Sequence, residues 1–337
     1  MLEMEKVLSA ICYKVPEGQT FEPSDTPLTD YFPETPKGNE EEPVLVTGEK
    51  QEKQEPTPIT PKYPLDTQVI AIDTTNFTLG QIPDGLVGAV RASIIVKPAG
   101  KTAHSLEHYG PYVVPITNQN KDLIYKGMFK AVHGKETAAQ APDVLKTLDR
   151  VRSLLERYLQ LHVAKTCKNS LILLDGSLIG STVGDPKFIL ESILADAAIN
   201  GNAVVAISKS TSLTLQHTQR NILSLLDNLY GPCYIGNIKK DITEDPGRYL
   251  GEIYVSRLTP LGEPFRIDVP RNAPMTHDAV FSQVAGLAGD YGYPEELKLA
   301  HMTCVLSSIE LLELQSAAIV LHGLRMKEEL RPKIFPL

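Results

Sequence analysis

Apolar strands and amphipathic helices take turns through the middle of the chain, and this alternation restricts the fold more than any other feature. Between Pro142 and His162 the residues Val144, Leu145, Leu148, Val151, Leu154, Leu155, Tyr158, Leu159 and His162 recur at three- and four-residue steps. That is the period of a helix with one buried face. SLILLDGS then reads as a buried strand, Phe188 to Ala198 as a helix, NAVVAIS as a further strand and Leu213 to Leu229 as a further helix. The pattern predicts an α/β domain, a central sheet flanked by helices.

The flanking regions add to the sheet. QVIAIDTT and LVGAVRASIIV read as an antiparallel hairpin with a long connection through the turn-rich patch of Gly80, Pro83, Asp84 and Gly85. Thr102 to His133 has no dominant period and reads as mixed strand and loop. CYIGNI, GEIYVSRL and FRIDV supply late strands, and a long helical pattern from about Pro294 to Met326, with room for one break, closes the chain. Residues from Val15 to Tyr63 are dense in Pro, Glu, Thr and Lys without apolar periodicity, which predicts extended or mobile chain. Val7 to Cys12 is a short apolar stretch that fits a small docking helix. The expected division is 1–66, an N-terminal helix and Pro/Glu-rich segment, and 67–337, the folded domain.

Some function classes are disfavoured by composition. No stretch reaches the roughly 18 uncharged apolar residues of a membrane span. Met1 to Pro16 lacks the basic start and long apolar core of a secretory signal, so a cytoplasmic location is expected. Cys12, Cys167, Cys233 and Cys304 lie far apart with no CxxC pair, which argues against a zinc ribbon or a disulfide framework and for small buried apolar residues. The formal charge of −8 weighs against a polyanionic partner unless metal ions, a local basic lining or another protein supplies the attraction.

Two aspartates carry the chemistry. Asp73 in VIAIDTT and Asp175 in LILLDGS each follow an apolar strand and precede small or hydroxyl residues, the sheet-edge position at which α/β domains bind ligands. On neighbouring strands the two would converge, and paired carboxylates repel unless a divalent cation sits between them. Metal-assisted phosphodiester cleavage follows naturally from such a pair. An Asp at a strand end also serves as a turn or capping residue, and actin-like ATPases use the same pattern to hydrolyse a nucleotide. Glu156, on the amphipathic helix before the Asp175 strand, is either a third ligand or a solvated glutamate. Lys209 in AISKST is either a phosphate partner or a surface lysine. Tyr293 precedes a helix with Pro294 in its first turn, and His301 comes about two turns later, so the two can edge one cleft.

Taken in order, VIAIDTTN, LVGAVRASIIV, LLERYL, SLILLDGSL, VVAISKST, IYVSRLTPLGEPFRIDV and YGYPEELKLAH resemble the NurA family of archaeal and bacterial nucleases, from about Val69 to Leu314. The resemblance implies an RNase H-like core with a mixed sheet, followed by the long C-terminal helical segment. It implies a homodimer around a DNA channel and association with a hexameric HerA-type translocase, without a membrane. The implied activity is a two-metal deoxyribonuclease, using Mn2+ or Mg2+ with two ions per site. It would act as a 5′–3′ exonuclease on single- and double-stranded DNA and a single-strand endonuclease, in end resection for recombinational repair of double-strand breaks. Carried over by position, Asp73, Asp175 and His301 would bind metal, and Glu156 would be the helix-borne carboxylate, with Glu107 as the competing alignment. Tyr293 would orient a phosphate or water, and His301 would bind the second metal or move a proton. One departure stands out: where the family has Asp-Gly-Ser at the first strand, this chain has Asp73-Thr74-Thr75, adding β-branched bulk beside the carboxylate. Two other classes compete, a cleavage-poor dimeric regulator of the translocase and an actin-like phosphotransferase.

Overall fold

The computed structural model describes residues 19–24, 44–46, 55–180, 187–216, 218–242 and 245–326. The body of the sheet consists of β1 (Gln68–Ile82), β2 (Gly85–Lys97), β3 (Ser105–Thr117), β4 (Ser170–Asp175), β5 (Ala203–Ser208), β6 (Gly251–Arg257) and β7 (Pro264–Pro270). Their spatial order is β3-β2-β1-β4-β5-β7-β6. β1, β2 and β3 form an antiparallel meander, while β4 and β5 run parallel to β1. This is the RNase H-like order, extended on one side by antiparallel β7 and β6. Beyond β6 the sheet continues through Cys233–Ile235 and Thr57–Pro58. At the other end Thr20–Pro23 pairs with the last residues of β1 and with Arg325–Met326.

Helices cover both faces, which is why β4, β5 and the Val69–Ile72 part of β1 that pairs with β4 are apolar at nearly every position rather than alternately. On one face Ile70, Ile72, Ile172 and Leu174 pack against α1 (Lys121–His133), α2 (Val144–Thr166) and α3 (Lys187–Ile199). On the other, Val69, Ala71, Leu171, Leu173 and Val205 pack against α4 (His277–Gly286) and α5 (Glu295–Cys304). α6 (Ser308–Leu321) lies at the far end of the β1–β2 hairpin, where Gln315 Nε2 donates to the carbonyls of Ser24 and Leu79. α2 begins at Asp143, whose side chain accepts from the Lys146 amide. It lies so close to β2 that a Cβ on Gly88 would come within 2.5 Å of Leu148 Cδ1.

Several expectations from the sequence need correction. The β1–β2 connection is tight rather than long, because the strands run for 15 and 13 residues and absorb the Gly80–Gly85 patch, with Pro83 and Asp84 at the turn. The Thr102–His133 region holds a full strand and a helix, β3 and α1. Leu213 to Leu229 is not a helix. Leu213–Leu215 is a short strand, parallel to Val44–Val46, and Ile222–Leu226 is a single 3-10 turn that starts at Asn221. Gln219 between them takes a positive φ of 56°, a conformation that ends helical propagation. Helix α4 has no strong signal in the sequence. The C-terminal pattern breaks once, at Val305–Ser307, where Ser307 starts α6 with a reciprocal capping box to Glu310. By length and composition alone Glu295–Leu321 would pass for a membrane-crossing helix; it is two helices, and the first buries Leu297, Ala300 and Cys304 against the sheet side of the molecule. The stretch Val7–Cys12 lies outside the described residues, and the described parts of the segment before residue 64 include three short strands.

Candidate active site

Parallel pairing between β1 and β4 ends at Ile72 opposite Leu174, so Asp73 and Asp175 are the next two residues in register. Neighbouring strands lie about 4.8 Å apart, and in-register residues of a parallel pair point to the same face. Both carboxylates therefore leave the sheet side by side, on the face that carries α5. β4 stops there because Gly176 turns the chain at φ 120°, a conformation that disfavours any side chain. Ser208 Oγ and the Ile207 carbonyl hold Gly176 in place through its carbonyl and amide.

Asp73 is buried and is held by three groups. Its Oδ1 accepts from the Thr74 amide at 2.8 Å, and its Oδ2 lies 2.7 Å from His301 Nδ1 and accepts from Cys304 Sγ at 3.5 Å. His301 and Cys304 sit one turn apart on the same face of α5. One donor atom each from Asp73, His301 and Cys304 lies within 4.8 Å of the others. Cys304 is thus more than the small apolar residue that the sequence suggests. Its spacing of three from His301 on a helix is the signal that could place its sulfur in the site.

Glu156 arrives from α2 on the opposite face. Its Oε2 accepts from Thr74 Oγ1 at 3.1 Å and from Arg152 Nη1 at 3.2 Å, and its Oε1 accepts from Gln160 Nε2 at 3.0 Å. Thr74 therefore links Asp73, which accepts from its amide, to Glu156, which accepts from its hydroxyl, across the thickness of the sheet. Glu107 stands elsewhere, exposed on β3 opposite Ile94, where it accepts from the Tyr109 hydroxyl.

Asp175 meets Lys209, whose Nζ is 2.8 Å from Oδ2 and 4.7 Å from the centre of the Tyr293 ring. The Tyr293 hydroxyl is buried close to Asp175 without the geometry of a formed hydrogen bond. All six residues singled out from the sequence thus lie near one another, although Asp73 stands in the middle of β1, which runs on to Ile82 instead of ending at the aspartate as the sequence suggests, while Asp175 and Lys209 stand at the carboxyl ends of β4 and β5. They fall in two groups: Asp73 with His301 and Glu156, and Asp175 with Lys209 and Tyr293. In contrast, the aspartate of FRIDV is structural. Asp268 is buried in a bidentate pair with Arg266 and accepts from the Leu178 amide.

Burial sets the electrostatics, and the neighbouring acids add to it. Burial raises the Glu156 carboxyl above its ordinary range, opposed by Arg152 and Arg157 and reinforced by Asp73. Burial likewise raises Asp175, opposed by Lys209 and reinforced by Asp73. The Tyr293 phenol is pushed well up by burial and then by Asp175 and Asp73. Burial, with Asp73 next, also raises the Cys304 thiol. Three carboxylates that burden one another, with an imidazole and a phenol at their edge, form a donor set suited to a divalent cation, which would relieve the repulsion.

The family model described as the NurA domain matches residues 67–306. Among solved structures, the NurA nuclease from Sulfolobus solfataricus is similar, with 16% sequence identity, a TM-score of 0.53 and coverage of 81% of this chain and 89% of that one. A second NurA structure covers 83% of this chain and 92% of its own at 9% identity and a TM-score of 0.47. Endonuclease V from Streptomyces avermitilis covers 80% and 90% at 12% identity and a TM-score of 0.36. Of these three, the Sulfolobus protein alone is close enough to establish a shared fold. No curated protein matches the chain.

Proposed function

This chain belongs to the NurA family, and on that footing we propose that it is a metal-dependent deoxyribonuclease working by a two-metal mechanism. The observation that carries the reading is the placement of Asp73 and Asp175 as in-register neighbours where parallel pairing ends, with Glu156 and His301 closing in from opposite faces. Asp73, Asp175, Glu156 and His301 are the residues that would hold divalent cations, Mn2+ or Mg2+. Bound cations would supply an activated water and charge neutralisation at the phosphate.

The chain's own groups account for the rest. Asp73 and His301 share a short contact, so the imidazole is positioned to ligate or to move a proton at Nδ1. Thr74 and Arg152 orient Glu156 toward the sheet edge. Lys209 neutralises Asp175 and is placed to pass its charge to an incoming phosphate. The buried Tyr293 hydroxyl, kept protonated by burial and then by the adjacent acids, can donate to a phosphate oxygen.

The full proposal is a 5′–3′ exonuclease and single-strand endonuclease that acts as a homodimer in end resection beside a HerA-type hexameric translocase. One observation favours a second reading, in which the chain is a cleavage-poor regulator of that translocase. The Lys209 ammonium already neutralises Asp175, in a chain of net charge −8. Incubating the purified chain with end-labelled single- and double-stranded DNA in Mn2+, Mg2+ or EDTA separates the two. Metal-dependent cutting supports the nuclease; no cutting, together with an altered translocase ATPase, supports the regulator.

A further inference from the structure

We propose that Cys304 is a sulfur ligand of the metal site, and that it biases the site toward thiophilic cations such as Cd2+ and Zn2+ over Mg2+. The inference rests on the proposed function in one respect, that Asp73 holds a divalent cation.

The first argument comes from what surrounds each cysteine. Cys233 lies inside an apolar cluster with Ile235 and Val255, and Cys167 packs against the large cluster beneath α2. Cys304 is fully buried yet belongs to neither cluster nor to the two others. Its sulfur faces polar atoms instead, Asp73 Oδ2 at 3.5 Å and the His301 carbonyl at 3.2 Å. A cysteine serving only to fill space has no need of a carboxylate against its sulfur.

Spacing provides a second argument. A tetrahedral ion with a sulfur ligand at about 2.3 Å and a carboxylate ligand at about 2.0 Å sets the two donor atoms about 3.5 Å apart. The Sγ to Oδ2 separation of 3.5 Å equals that value. His301 Nδ1, already 2.7 Å from the same oxygen, needs only a small ring displacement to become the third donor. A third observation is the Tyr293 hydroxyl, buried beside the neighbouring Asp175 without a formed hydrogen bond.

Thiol sulfur ligates as thiolate. Binding therefore breaks the S–H bond and forms a sulfur–metal bond, with the proton released to solvent. Soft or borderline cations drive that exchange, whereas Mg2+, which prefers oxygen, leaves the thiol protonated. The site would accordingly hold Mg2+ through oxygen alone and Cd2+ or Zn2+ through a mixed nitrogen, oxygen and sulfur set.

The test is a titration of the reduced full chain with Cd2+, without DNA, following the thiolate-to-cadmium charge-transfer absorption. One saturable band is expected in the unaltered protein and in Cys167→Ser. Cys304→Ser should lose that band and bind Cd2+ at least about tenfold more weakly. Asp73→Asn, which leaves the sulfur in place, should weaken Cd2+ binding while keeping a band, so the proposal stays testable if Cys304→Ser misfolds. No band in the unaltered protein, or an unchanged band in a folded Cys304→Ser, would overturn it. A chain that cuts DNA with Mn2+ but shows no band contradicts this inference alone. One that binds Cd2+ through Cys304 and cuts nothing contradicts the nuclease reading alone.

Discussion

His301 Nδ1 lies 2.7 Å from Asp73 Oδ2 although 228 positions separate the two residues. The contact ties the last helical turn of α5 to the middle of β1, at the point where β4 stops accompanying it. Losing His301 should therefore disturb the carboxylate as well as remove a donor. His301→Ala is expected to lower cleavage by about 10–100-fold, the range seen when a partner that orients a metal ligand is removed. Initial rates at saturating metal, compared with those at limiting metal, check this. A larger deficit at limiting metal is expected.

Thr74 is expected to matter through Glu156. Thr74→Val keeps the β-branched shape but removes the hydroxyl that donates to Oε2. Urea unfolding should show a loss of about 1.5–3 kcal/mol, as for a hydrogen bond to a charged group. Thr74→Gly, which restores the family's Asp-Gly pair, should lose the same bond and leave Glu156 to Arg152 and Gln160.

Stability of the metal-free protein should fall as pH rises through the carboxylate range. Glu156 and Asp175 have folded values above their ordinary 4.5 and 3.8. In the window between ordinary and raised values the folded state holds more protons than the unfolded one, so each increment of pH favours unfolding. Above the window both groups are charged and the penalty is complete. Divalent cation should offset it, so the rise in Tm on adding Mn2+ should be larger at pH 8 than at pH 5. An equal rise at both would contradict the upward shift of these two buried carboxyls.

Lys209 should act on phosphate. With Ca2+ in place of a catalytic cation, Lys209→Met should weaken DNA binding across sequences and reduce the salt-dependence slope by about one.

Arg266 provides the structural contrast. Its side chain and that of Asp268 are each 1% exposed and paired at 2.7 Å. Arg266→Ala strands a buried carboxylate and should cost about 3–5 kcal/mol of stability in urea unfolding, with any activity loss following the unfolded fraction.

Much of the site is legible in the sequence because local residues dictate it. An apolar strand that ends in Asp-Gly can present a carboxylate only at the sheet edge, and this holds for Asp175. A helix of period 3.6 leading into that strand places α2 and Glu156 over the sheet. What stays hidden depends on tertiary contact. Cys304 shows in the sequence only through its spacing of three from His301, and its contact with Asp73 only through the fold; Thr74 looks like a blemish in the family pattern until Glu156 is seen at its hydroxyl. Helix α1 escapes a reading of the sequence because β3 runs into it after only Asn118, Gln119 and Asn120, with no punctuation by glycine or proline. The helix expected over Leu213–Leu229 fails because its apolar residues serve a short strand and a 3-10 turn in the small cluster around Ile222 and Leu226.

The most direct test of the paired-aspartate site is cleavage of end-labelled DNA by the unaltered chain, Asp73→Asn and Asp175→Asn, each in Mn2+ and in EDTA with folding verified by circular dichroism. The expected result is metal-dependent cutting by the unaltered chain and none above background by either folded variant. Undiminished cutting by both variants would contradict the assignment of the site.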